Sequence, residues 1–110
     1  MAVLSLQAIT AAGLAANYAT ASAGGDKIPL SAANVFLHVK NGGASPVTVT
    51  ITTQTNQVKG LTLPDRIVTV ANATDKFIGP IDASLHADIS QQASISYSAT
   101  TSVTVAALRI

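Results

Sequence analysis

Cysteine, tryptophan and glutamate are all absent from this chain of 110 residues. Without cysteine no disulfide framework and no thiolate metal site can form, and the redox compartment stays open. Without glutamate, all five acids are aspartate, which favours caps and turns over helix interiors and so argues against long surface helices. Charge is scarce as well, at 10% of residues against about 25% in a typical globular protein. The net charge is +1, and the six basic residues (Lys27, Lys40, Lys59, Arg66, Lys76 and Arg109) are dispersed. No basic stripe exists to neutralise phosphates, so no nucleic-acid partner is expected.

No segment approaches the roughly 18 consecutive apolar residues of a membrane span, so no membrane partner is expected either. The Ala-rich stretch through Gly25 contains Ala21-Ser22-Ala23, which looks like a small-residue cleavage site. It carries no positive residue before Lys27, and Gln7, Thr10, Asn17 and Tyr18 interrupt it, so secretion by this route is not expected. The aromatics number four: Tyr18, Phe36, Phe77 and Tyr97. A deep cavity lined with rings is therefore disfavoured.

What the chain does contain is small residues in alternation. Hydrophobic residues make up 48%, and small alanine and valine are prominent among them, which suits closely spaced sheets. Ile95, Tyr97 and Ala99 alternate with Ser94, Ser96 and Ser98, and Val103, Val105 and Ala107 resume the pattern. Period two puts one face on a core and the other towards solvent or a partner. The same alternation predicts strands over Asn34–Lys40 and Val47–Thr53, which a long loop of Asn41 to Pro46, opening on the turn sequence Asn41-Gly42-Gly43, would join as a hairpin. Further short strands are expected at Tyr18–Ala23, Arg66–Ala71 and Lys76–Ile78, with a loop from Gln54 to Asp65 and a turn or single helical turn around Ala83–His86. Residues 1–16 read as an N-terminal arm or a short helix over Ser5–Ala12, and residues 17–110 as the domain. The expected fold is all-β: an antiparallel β-sandwich or jelly-roll of about seven to eight strands. Asp26-Lys27, Asp65-Arg66 and Asp75-Lys76 sit where strands begin and read as solubilising gatekeepers, not ion pairs.

Candidate chemistry is sparse. His38 lies in a strand with no carboxylate near it in sequence. His86 has Asp82 and Asp88 nearby, a spacing that can bind a divalent ion but lacks a second histidine, so no metal is expected. No Gly-x-Ser-x-Gly elbow and no Gly-rich phosphate loop occur, so neither an enzyme nor a cofactor is expected. Asn72-Ala73-Thr74 fits the glycosylation acceptor pattern by chance. What remains are two hydroxyl runs, Thr48, Thr50 and Thr52, then Ser94, Ser96 and Ser98. Each is a solvated sheet face or a surface that meets another protein, and low charge reduces the desolvation cost of the second.

Three segments carry a resemblance: Phe36-Leu-His-Val-Lys-Asn-Gly42, Phe77-Ile-Gly-Pro80, and the closing Tyr97-Ser-Ala-Thr-Thr-Ser-Val-Thr-Val-Ala-Ala-Leu-Arg-Ile110. The chain resembles the small head decoration, or minor capsid (cement), proteins encoded beside the major capsid gene of tailed bacteriophages. The resemblance implies a β-sandwich that binds the outside of an assembled shell, with the major capsid protein as partner and the virion exterior as its place after synthesis in the host cytoplasm. It carries over no catalytic, cofactor or metal residue. Dimers or trimers at local symmetry axes would add avidity. The expected partner contacts are Leu4, Leu6 and Ile9 of the arm together with the two hydroxyl runs. The competing expectations are a ligand-binding or adhesion module on the same fold and a tail or fibre component of the same virion.

Overall fold

In a computed structural model, residues 2–30, 34–54, 57, 58, 61, 62 and 64–110 are described. In chain order the strands are β1 (Ala2–Val3), β2 (Leu6–Ala8), β3 (Ala19–Thr20), β4 (Asp26–Pro29), β5 (Val35–Asn41), β6 (Val47–Ile51), β7 (Gln57–Val58), β8 (Leu61–Thr62), β9 (Arg66–Val70) and β10 (Thr74–Ile78). The single helical turn α1 (Ala83–His86) follows, then β11 (Gln92–Tyr97) and β12 (Val103–Arg109). Among the described residues seven strands have four residues or more (β4, β5, β6, β9, β10, β11 and β12); all but β4 fall on expected strands, whereas β4 follows the expected strand at Tyr18–Ala23, of which only Ala19–Thr20 forms.

Two five-stranded, mostly antiparallel sheets form a β-sandwich. The first runs β1-β4-β11-β6-β9; the second runs β10-β5-β12-β2, with β3 also on β12. The inward phase of the alternation fills the space between them. Ile28, Val49, Ile51 and Ile95 come from the first sheet, and Val35, Leu37, Val39, Val103 and Val105 from the second; all are essentially fully buried. Each such side chain contributes about 1.5–3 kcal/mol by leaving water. A core of valine and isoleucine needs no aromatic filler.

The hairpin expected between Asn34–Lys40 and Val47–Thr53 does not form. β5 pairs with β10 and β12, while β6 pairs with β11 and β9, so the two strands lie in opposite sheets. The reason is Asn41, which is buried at the end of β5. Its Nδ2 donates to Ser45 O at 2.9 Å and Val70 O at 3.1 Å, and its Oδ1 accepts from Gly43 N at 3.0 Å. That amide bends the chain across the sandwich as an arch. The links from β9 to β10 and from β11 to β12 also cross between sheets. Of the predicted loop from Gln54 to Asp65, residues 55, 56, 59, 60 and 63 lie outside the described residues; β7 and β8 pair with each other within it.

The N-terminus is neither a helix nor a free arm. β1 adds parallel to β4 in the first sheet, and β2 adds parallel to β12 in the second. Leu4, between them, crosses from sheet to sheet with its side chain in the core, 6% exposed. The 3.6-residue spacing of Leu6 and Ile9 loses to the open edges of β4 and β12, which offer backbone partners that an isolated short helix lacks.

Asp26 corrects the gatekeeper reading at one of its three positions. It is fully buried, and its Oδ2 accepts from the Tyr97 hydroxyl at 2.8 Å and from Ser22 N at 3.3 Å. Gly25 brings it there at φ +91, where an added Cβ would stand 2.5 Å from Ile95 O. Burial first, then the Asp26 carboxylate, pushes the Tyr97 phenol well above its ordinary pKa.

Candidate functional site

The two outward faces of the sandwich are built by the same alternation from different residues. On the first sheet, β6 and β11 are neighbours, with Thr50 directly opposite Ser96. Thr52 N donates to Ser94 O, and Ser98 N donates to Thr48 O. The two hydroxyl runs, separate in sequence, thus form one continuous patch. β9 extends it with Ile67 opposite Thr50 and Thr69 opposite Thr48, and β4 with Lys27 opposite Ser94. Ser98 is partly spent within the fold, its Oγ accepting from Thr48 N at 2.8 Å. Lys27 is neutralised by Asp88 at 2.9 Å. The face is hydroxyl-rich and without net charge, with exposed Ile67 its large apolar side chain.

On the second sheet the outward positions of β5 are Phe36, His38 and Lys40, and those of β10 are Asp75 and Phe77. Phe77 stands opposite His38, and Asp75 opposite Lys40. His38 is buried although it points outward, 5% exposed. Its ring stacks on Phe77 with centroids 4.0 Å apart, and Phe77 meets Phe36 edge-on at 5.9 Å. His38 Nε2 lies 2.6 Å from Asp75 Oδ2, and Nδ1 lies 2.6 Å from the Tyr18 hydroxyl. An ionised carboxylate only accepts, so with a neutral ring Nε2 carries the proton and Tyr18 donates to Nδ1. Lys40 Nζ sits 4.0 Å from the centre of the Tyr18 ring. Three of the four aromatics therefore converge around one histidine, joined across three segments of the chain.

This chain of hydrogen bonds fixes rings in place. Its carboxylate end is half-exposed, and the open cleft that Asp75 lines, beside Lys40, Asn41 and Thr74, does not include His38. The groove that Tyr18 lines, beside Gln7, Asn17 and Ala106, contains neither His38 nor Asp75. What the arrangement does present is apolar surface. Phe77 is 64% exposed and Ile110 is 71% exposed. With Phe36, Pro80, Gly79 and Asn34 they line a shallow groove of about 410 Å³.

A second concavity of about 390 Å³ opens between β9 and β10. Ile51, Val68 and Ile78 form its apolar part, and Arg66, Asp82 and His86 its polar part. The spacing of Asp82, His86 and Asp88 does not become a metal site. Asp82 caps α1, accepting from Ser84 N at 2.9 Å, and its bonds with Ser84 hold its carboxyl below the usual range. Asp88 pairs with Lys27 and accepts from Ser90 N and Gln92 N, and the Lys27 bond lowers its carboxyl most. His86 is buried and Nδ1 lies 3.1 Å from Thr52 O. Among the described residues no three histidine or aspartate groups are placed to hold an ion.

Of the partner contacts expected from sequence, the six hydroxyl residues come together on one face. Leu4 is in the core and Leu6 is half-buried against it, while Ile9 is 38% exposed at the end of β2. Sequence reasoning missed Phe77 and Ile110. The signal for Phe77 was available: next to Ile78 in a period-two strand, it has to face outward if Ile78 faces the core. Searches against family models, curated proteins and solved structures find no match to this chain.

Proposed function

We propose that this chain is a non-enzymatic virion protein that binds the outer surface of an assembled tailed-phage capsid and stabilises it. One observation carries the reading. The segments that resemble decoration proteins, residues 36–42, 77–80 and 97–110, supply β5, the end of β10 and β12. They converge on the outward face of the second sheet, where Phe36, Phe77, Pro80 and Ile110 leave apolar surface exposed. Exposed apolar patches of this kind mark sites of association. The shape supports it too: extents of 40 × 35 × 20 Å describe a plate with two broad faces. A protein that binds only the assembled shell stabilises it by mass action, and many modest contacts add across a particle.

The test is co-sedimentation of purified protein with shells of the capsid protein encoded beside it, followed by cryo-electron microscopy. Saturable binding, weakened by Phe77→Ser, is the expected result. Shells that sediment without the protein reject the proposal. The exposed Phe77 ring also favours a second reading, a carbohydrate-binding module, since a sugar's apolar face packs on a ring. A glycan array that returns specific binding, abolished by the same substitution, would select it.

A further inference from the structure

We propose that the free edge of β10 receives an extended strand of a partner protein, one that alternates apolar and acidic side chains. β10 ends the second sheet, with β5 on one side and, among the described residues, no strand on the other. An edge strand leaves alternate N–H and C=O groups unpaired, which is a template for another chain. The edge runs between the two concavities already described. Outward lies the groove of Phe36, Phe77 and Pro80; inward lies the one holding Arg66 and Ile78. A strand added at this edge would direct alternate side chains to each.

Charge decides what those side chains are. Lys76 faces the inner side, opposite Val39, yet it is exposed. Arg66, on the facing edge strand β9, is exposed as well. Among the described residues, no carboxylate lies within ion-pair distance of either; the ion pairs are Lys27 with Asp88 and His38 with Asp75. The inner side of the added strand therefore meets two cations outside any ion pair, against one carboxylate on that concavity, Asp82, which is engaged in capping α1; its outer side meets phenylalanine and proline. Acidic inward and apolar outward is the complement.

The same lysine turns away a second copy of this chain. Two β10 strands paired antiparallel with their outer faces continuous set like parity against like. Centred on Lys76, such a pair opposes two ammonium groups; centred on Asp75, it opposes two carboxylates. Both are unfavourable. Centred on Phe77, it sets Lys76 against apolar Ile78. An inward-pointing charge on an edge strand is a known guard against self-pairing, and only a strand bearing a carboxylate there relieves it.

This inference rests on the docking reading for the partner's being a protein, and its test needs no shell. Isotope-labelled protein is titrated with short capped peptides alternating valine and glutamate, or valine and lysine, to concentrations on the order of millimolar, and amide shifts are read by NMR. The glutamate peptide is expected to move the amides of residues 74–78 and to slow their hydrogen exchange. The lysine peptide is expected to bind about fivefold more weakly, as one or two cross-strand charge pairs would give. Lys76→Glu should reduce that preference, and Lys76→Ala combined with Arg66→Ala should erase it; both sites are exposed, and retained spectral dispersion checks the fold. Equal binding of the two peptides, or shifts away from β10, overturns the proposal. Concentration-dependent broadening at β10 without peptide also overturns it, by giving the edge to a second copy. Shells that bind normally with Lys76→Glu reject the edge and leave the capsid reading standing. Peptide binding without shell binding rejects the capsid and leaves the edge standing.

Discussion

The outward face of the first sheet and that of the second arise from one repeat, yet they are opposite in kind. On the first, Thr48, Thr50, Thr52, Ser94 and Ser96 make a lawn of small hydroxyls that reach no further than their own strand neighbours. On the second, Tyr18, His38, Asp75 and Phe77 reach over one another, so that an outward histidine ends up buried. The lesson is that facing outward and being exposed are separate properties. Alternation decides the first; the length of the neighbouring side chains decides the second.

The comparison can be broken at its hinge. Leu4 is the residue by which the N-terminal strand ties the two sheets together, and Leu4→Ala should cost about 2–4 kcal/mol, read from the urea midpoint. A loss below 1 kcal/mol would mean that β1 and β2 are dispensable additions. His38→Ala is next, at about 2–3 kcal/mol, because it strands the Tyr18 hydroxyl and the Asp75 carboxylate and removes a stacked ring. The matching change on the other face, Thr50→Ala, should fall within about 0.5 kcal/mol of zero. Equal costs at the two positions would erase the distinction between the faces.

Between the sheets, Tyr97→Phe should cost about 1.5–3 kcal/mol by taking from buried Asp26 a hydrogen-bond donor. It also has a pH signature. The folded state holds the Tyr97 phenol protonated above its unfolded pKa of about 10, so this stability is complete below that pH and falls away as pH rises beyond it. Alkaline melts of the parent should decline more steeply than those of Tyr97→Phe; parallel curves would show that the hydroxyl is not buried as described. A small effect on stability is expected of Phe77→Ser too, within about 1 kcal/mol because the ring is mostly exposed. Its effect should appear in binding, and a large drop in stability would recast Phe77 as a structural residue.

Much of the strand content was legible. Val47 to Ile51, Gln92 to Tyr97 and Val103 to Arg109 each declare their inward side chains in the sequence, and those side chains form the core. The helical turn at Ala83–His86 was legible as well. What could not be read was which strand lies beside which. Asn41-Gly42-Gly43 is as good a hairpin turn as it is an arch, and only the carbonyls of Ser45 and Val70 tell the two apart. Asp26 looked like a surface charge because nothing local shows that Tyr97, 71 residues on, will donate to it. His38 looked unpartnered for the same reason, its carboxylate being 37 residues away.

By itself, the sequence determined that this chain is built of two-sided ribbons of small, nearly uncharged residues, because side-chain direction in a strand repeats every two positions and needs no distant information. Tertiary structure alone decided that two hydroxyl runs share one face, that rings gather on the other, and that Lys76 stands at an open edge. Those facts depend on strand order, and strand order is chosen by contacts between residues far apart in the chain.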